Sequence, residues 1–102
     1  MFDKLFEAQQ KAEEIKKRLD TISVYSEVEG GKIKITSTAN KHITSISIDP
    51  LLLSSGDKDE LEELLVTAIN KTLEQAENIS QTEMQAATRD MMGGLGNLFG
   101  NK

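Results

Sequence analysis

Apolar side chains recur at Leu5, Ala8, Ala12, Ile15, Leu19 and Ile22, alternating steps of three and four that mark one seam of a helix. The spacing predicts a helix over about residues 3–20, roughly 30 Å long. The seam is narrow and Ala-rich, so it suits another helix better than the broad surface of a sheet. From Thr21 to Asp49 the period falls to two, as in three short strands joined by tight turns. A two-residue turn at Gly30-Gly31 sets Glu29 opposite Lys32, Val28 opposite Ile33 and Glu27 opposite Lys34. A second turn at Asn40-Lys41 sets Ile35 opposite Ile46, Ile33 opposite Ile48 and Lys32 opposite Asp49. Both hairpins put Ile33 and Ile35 on one buried face, so a slip in either register would turn that face to solvent. Glu27, Lys34, Thr36, Thr38, Ser45 and Ser47 fall on the other, wet face.

Pro50 offers no amide hydrogen and biases Asp49 toward extended geometry, which ends the third strand. Asp57 with Glu60 three residues on then reads as a capping box that opens a second helix, expected over Asp57–Met92 and roughly 50 Å long. Its first half carries a wide stripe of Leu61, Leu64, Leu65, Val66, Ala68, Ile69 and Leu73, fit to cover the sheet. Its second half thins to Ala76, Ile79, Met84, Ala86 and Ala87. Beyond Met92 the segment Gly93-Gly94-Leu95-Gly96-Asn97-Leu98 is Gly-rich, and residues 93–102 are expected to form a mobile tail with a few apolar anchors, outside a single domain over 1–92. The fold class is therefore α+β in the order α-β-β-β-α. Strands of seven to nine residues reach only about 23 to 30 Å, so parts of both helices must overhang the sheet. A lone overhang with a thin seam is marginal in water, which implies pairing as a helical hairpin or with a second subunit.

Composition sharpens that expectation. A chain of 102 residues forms one domain, and its three Phe, one Tyr and absence of Trp leave an aliphatic core that is thin for two long helices. The absence of Cys excludes disulfides, thiolate metal sites and a Cys nucleophile. No run is long enough to span a bilayer and the first residues lack the apolar stretch of a secretion signal, so a cytoplasmic protein with no membrane partner is expected. The net charge of −5 is unevenly placed: residues 1–50 carry equal numbers of cations and anions, so the acidic excess lies in the second helix and tail. That balance argues against a polyanion partner for the chain as a whole while leaving room for a local basic surface.

Little points to catalysis. His42 is the single histidine and falls at a turn with no Cys, second His or nucleophile motif to act with. The cluster Asp57, Asp59, Glu60, Glu62 and Glu63 lacks the alternating ligands and Gly of a calcium loop and favours the helix macrodipole instead. No glycine loop follows a strand in nucleotide-binding form. The chain reads as non-enzymatic, with no cofactor and no metal. Lys4, Lys11, Lys16, Lys17 and Arg18 on the first helix are the best candidates for phosphate contact. Lys4, Glu7, Lys11, Glu14 and Arg18 also form a ladder at spacings of three and four, with Glu13 four before Lys17, an ordinary solvated helix face. Lys16-Lys17-Arg18 is the least neutralised patch.

Four segments in order carry a family resemblance: Ala8-Gln9-Gln10-Lys11-Ala12-Glu13-Glu14, Gly31-Lys32-Ile33-Lys34-Ile35-Thr36, Ile48-Asp49-Pro50-Leu51-Leu52-Leu53, and Leu61-Glu62-Glu63-Leu64 continuing to Ala68-Ile69-Asn70. Together they resemble the YbaB/EbfC family of small bacterial nucleoid-associated proteins over nearly the whole chain. The resemblance implies a homodimer with projecting helical arms that binds duplex DNA in the cytoplasm, organises the nucleoid or modulates gene expression, and has no catalytic residue. On that reading the first-helix cations, with Lys71 and Arg89 as helpers, touch phosphates with weak sequence selectivity. The alternative is a dimeric protein-interaction or scaffold module, gripping a protein partner through its arms or the tail.

Overall fold

Every expected element is present, in the order α1 (Phe2–Asp20), β1 (Ser23–Val28), β2 (Ile33–Thr38), β3 (Ile43–Ile48), α2 (Pro50–Ser54) and α3 (Lys58–Phe99). The computed structural model describes residues 2–54 and 56–99, with side chains at 4–54 and 56–89. The strands form one antiparallel sheet in the order β1-β2-β3, giving the α+β class. Six-residue strands span about 20 Å, whereas the 42 residues of α3 span about 63 Å. The molecule is accordingly a rod, 67 × 26 × 18 Å.

Sheet register follows the residue pairing. Val28 faces Ile33 and Glu27 faces Lys34, while Ile33 faces Ile48 and Ile35 faces Ile46. Glu29 at φ 53°, Gly30 at φ 64° and ψ 28° and Gly31 at φ 91° are all left-handed, and the Lys32 amide donates to the Glu29 carbonyl at 3.3 Å; the ladder ends at Val28 and Ile33, so the connection takes in Glu29 and Lys32, which were expected to pair as strand residues. The second hairpin differs from the expected two-residue turn. Thr38 donates its amide to the His42 carbonyl at 2.8 Å, leaving Ala39-Asn40-Lys41 as a three-residue connection with Lys41 at φ 67°. A bulge beside Thr36 and Ser37 absorbs the extra residue and restores the pairing further along. The reason is packing: Ala39 is fully buried, and its amide donates to Leu19 and Ile22 carbonyls at 3.2 and 3.1 Å, which draws the turn under the end of α1.

Asp49 does more than end β3. Its carboxylate accepts the Leu51 amide at 2.9 Å, and Pro50 occupies the first helical position, so a short α2 forms that the sequence reading did not anticipate. Asp57 caps α3 as expected, accepting the Glu60 amide at 3.0 Å. The far end of α3 departs from expectation. The backbone stays helical past Met92 through Gly93, Gly94 and Gly96 to Phe99, since an interior Gly costs a helix only about 1 kcal/mol relative to Ala. The rest of the expected tail, 100–102, lies outside the described residues, as do the side chains proposed to anchor it.

Two packed clusters hold the rod. Ile33, Ile35 and Ala68 are fully buried, flanked by Val28, Ile43, Leu52, Leu61, Leu64, Leu65 and Ile69. Leu19, Val24, Ala39 and Ala76 make the second, with Ile15, Ile22 and Ile79 against it, where α1, the sheet and α3 meet. Between them the buried Ser26 and Thr72 hydroxyls are hydrogen-bonded, and Thr72 donates to the Ala68 carbonyl at 2.8 Å. Because α3 lies against β1 and β2, it leaves β3 at an open edge. Ile46, on the core face by register, is 46% exposed, and Val66, expected to cover the sheet, is 58% exposed.

Candidate nucleic-acid interface

The C-terminal end of α1 is fixed from outside the helix. The last carbonyls of any helix lack intrahelical partners, and here the β2–β3 turn and Thr21 supply them. Asn40 Nδ2 donates to the Lys16 carbonyl at 2.9 Å and to Asp20 Oδ1 at 2.6 Å, the Thr21 hydroxyl donates to the Arg18 carbonyl at 2.6 Å, and Ala39 takes the Leu19 carbonyl. Lys17 and Arg18 occupy the last turn, where cations complement the macrodipole. The backbone under Lys16, Lys17 and Arg18 is thus pinned to the sheet. Asn40 was read from sequence only as a turn residue, and the pattern held no signal for this contact.

All seven candidate cations, Lys4, Lys11, Lys16, Lys17, Arg18, Lys71 and Arg89, are exposed. Three are engaged within the chain. Lys11 lies 3.8 Å from Glu14, Arg18 Nε donates to Glu83 Oε1 at 2.6 Å, and Lys71 Nζ donates to the Glu27 carbonyl at 3.0 Å. Among the described residues Lys4, Lys16, Lys17 and Arg89 make no ion pair. At 3.6 residues per turn, Lys16, Lys17 and Arg18 fan over about 200° of helix surface rather than sharing one face. Lys71 and Arg89 are about 27 Å apart along α3, so they do not converge on one spot.

An open groove runs between α1 and the outer half of α3, lined by Lys11, Glu14, Ile15, Arg18, Glu83, Ala86 and Ala87. Its floor is apolar and its rim alternates in charge. Further out, Leu5 and Phe6 on α1 and Met84 on α3 are more than half exposed. Among the described residues the Ile15-Leu19-Ile22 end of the expected α1 seam packs on the second cluster, while Leu5, Ala8 and Ala12 are exposed.

His42 is an exposed turn residue, and no cluster of three or more His, Cys, Asp or Glu side chains among the described residues is placed to hold a metal ion. The two perturbed titrations arise at surface contacts. Tyr25 donates to Glu27 Oε2 at 2.5 Å, and this hydrogen bond raises the phenol pKa, with smaller contributions from desolvation and the carboxylate charge. Lys41 hydrogen-bonds the Glu77 carboxylate and holds its pKa below the ordinary value, joined by a weaker hydrogen bond from Gln81. Among the described residues no helix is long and apolar enough to cross a membrane.

Comparison with known proteins gives this surface a context. A model of the YbaB/EbfC DNA-binding family matches residues 1–91. A nucleoid-associated protein of Flavobacterium johnsoniae is 46% identical over 102 residues, covering 97% of this chain and 94% of its own. The nucleoid-associated protein Cphamn1_1179 of Chlorobium phaeobacteroides is 32% identical over 94 residues, covering 92% of this chain and 83% of its own. Among solved structures, the uncharacterized protein HP0035 from Helicobacter pylori superposes with a TM-score of 0.66 at 18% identity, over 76% of this chain and 90% of that one, a likeness of fold.

Proposed function

The chain belongs to the YbaB/EbfC DNA-binding family, and from that premise we propose that it is a nucleoid-associated protein that binds duplex DNA as a homodimer. The observation that carries this reading is the family match across residues 1–91, which takes in α1, the sheet and nearly all of α3. Exposed cations on α1, with Lys16 and Lys17 free of ion pairs among the described residues, are suited to phosphate contact; Lys4, Lys11, Arg18, Lys71 and Arg89 complete the candidate set. None of them lies on a helix shaped to read base edges, so selectivity is weak and affinity comes from the backbone. A second copy of the chain is favoured by what the first leaves bare: Leu5, Phe6, Ile46, Leu51, Leu53 and Val66 are all large, apolar and exposed. The location that goes with this function is the cytoplasmic nucleoid, and no catalytic step is part of it.

Salt tests the mechanism directly. With three to six phosphates neutralised, a tenfold rise in salt lowers affinity for a short duplex by roughly three to five orders of magnitude. Affinity indifferent to salt, or no binding in dilute buffer, removes phosphate contact as the mechanism. The net charge of −5 favours a second reading, a dimeric module that grips another protein. Charge reversal at Lys16 and Lys17, which leaves the Arg18–Glu83 contact in place, separates the two, since it sharply weakens DNA binding with the fold intact and spares a partner held elsewhere on the arms.

A further inference from the structure

Arg18 is the one candidate phosphate ligand whose side chain is held from another helix. Its Nε donates to Glu83 Oε1 at 2.6 Å, while the guanidinium makes no other hydrogen bond among the described residues and the Arg18 side chain is 68% exposed. A guanidinium has five N–H donors in a rigid fork, so this contact uses one and leaves the four of Nη1 and Nη2 for a ligand. Glu83 is the anchored member: its side chain is only 19% exposed and lies in the groove with Ile15, Ala86 and Ala87. Were Arg18 to swing away to a phosphate, that carboxylate would be left partly buried and unpaired. The arrangement therefore favours a phosphate arriving as a third member, with the Arg18–Glu83 bond kept.

We infer that Glu83 is a positioning residue for nucleic-acid binding, holding Arg18 by Nε so that Nη1 and Nη2 form a fixed phosphate fork on the α1 edge. The inference rests on the reading of that edge as a phosphate-binding surface. Lys16 and Lys17, exposed and with no ion pair among the described residues, supply charge without direction; Arg18 supplies both. Glu83 also has a negative charge that works against a polyanion, and the two effects part company when the acceptor and the charge are removed separately.

The experiment is a salt titration of full-chain binding to a short duplex by fluorescence anisotropy, with circular dichroism to follow the fold. Glu83→Gln keeps an oxygen acceptor for Nε and loses the charge, so affinity stays at or above the parent's. Glu83→Ala frees the guanidinium and weakens binding about two- to tenfold, the factor that ordering one long side chain is worth. Arg18→Ala weakens it at least as much and lowers the salt slope by about 0.9, and adding Glu83→Ala to Arg18→Ala brings no further loss. Glu83→Leu repeats the loss of the acceptor with the groove filled, in case the alanine disturbs the arm. Unchanged or tighter binding by Glu83→Ala and Glu83→Leu, where Arg18→Ala weakens it, overturns the inference and makes Glu83 a bystander or an inhibitor. Additive losses also overturn it, because the effect then travels through the arm and not through Arg18. Failure of the parent chain to bind duplex in dilute buffer overturns the proposed function, and the inference falls with it.

Discussion

Over the sheet, α3 buries Ala68, Thr72 and Ala76 on successive turns against strands whose inner residues Ile33 and Ile35 are wholly enclosed. Past Ala76 the same helix meets α1 and the β2–β3 turn, and its grip changes in kind: Ile79 reaches the second cluster, and two polar clasps join it, Arg18 to Glu83 and Lys41 to Glu77. The platform is closed by apolar packing, which is indifferent to salt and pH. The arm is pinned by ion pairs at the surface, in which Arg18, Lys41 and Glu77 are exposed and Glu83 alone is largely covered, and solvent and salt screen them. A region held this way keeps its direction without burying the surface it presents. That suits an element that has to meet something else, whether a second chain or a phosphate backbone.

The contrast is tested most severely by equal deletions in the two regions. Ile35→Ala, inside the platform, lowers the unfolding free energy by about 2–5 kcal/mol in urea titration. Leu5→Ala removes a similar volume from an exposed position on the arm and costs a dilute, dissociated chain about 0.5 kcal/mol or less. If a second copy covers Leu5, its penalty grows with protein concentration, while that of Ile35→Ala in the platform does not depend on coverage. A Leu5→Ala penalty as large as that of Ile35→Ala in the dilute chain would mean that the arm is packed and the distinction is false.

A smaller effect probes the polar link within the platform. Thr72→Val keeps the shape and leaves the buried Ser26 hydroxyl without its partner, at a cost of about 1–3 kcal/mol. Ser26→Ala combined with Thr72→Val restores most of that loss, because two matched apolar groups replace one stranded hydroxyl. A double variant no better than the single one would show that packing volume, and not hydrogen bonding, sets the cost.

Ser26 and Thr72 also show where sequence reading stops. The register of the first hairpin, and of the second as far as Thr36, was legible because Ile, Glu and Lys alternate with period two and pair apolar to apolar and charge to charge. The cap at Asp57 and the Ile15-Leu19-Ile22 part of the α1 seam were legible for the same reason: the signal lies within one or two turns of chain. What was not legible depends on how distant elements cross. The line α3 takes over β1 and β2 decides that Ile46 and Val66 are exposed, that Ser26 meets Thr72, and that Arg18 meets Glu83. Asn40 and Ala39 looked like turn residues, and only the docking of α1 makes them its cap. The charge ladder on α1 already set Lys11 beside Glu14, but the pattern could not say that Arg18 and Lys71 are held from other elements. The short α2 is different, since Asp49-Pro50 is a cap and first-position pair that the sequence did contain.

The smallest expected effect concerns the clasp between the β2–β3 turn and the arm. Lys41 lowers the Glu77 pKa in the folded chain from an ordinary value of 4.5. A carboxylate whose folded pKa is depressed contributes stability that is fully present above the unfolded value and is lost as pH falls through the folded one. The urea midpoint of the parent chain therefore exceeds that of Glu77→Gln by a constant margin near neutral pH, and the margin closes as the solution is acidified below about 4.5. Raising the salt at neutral pH narrows the same margin, because both side chains are exposed. A margin that ignores both acid and salt would mean that Glu77 acts through packing, and the arm would then be held by the same forces as the platform.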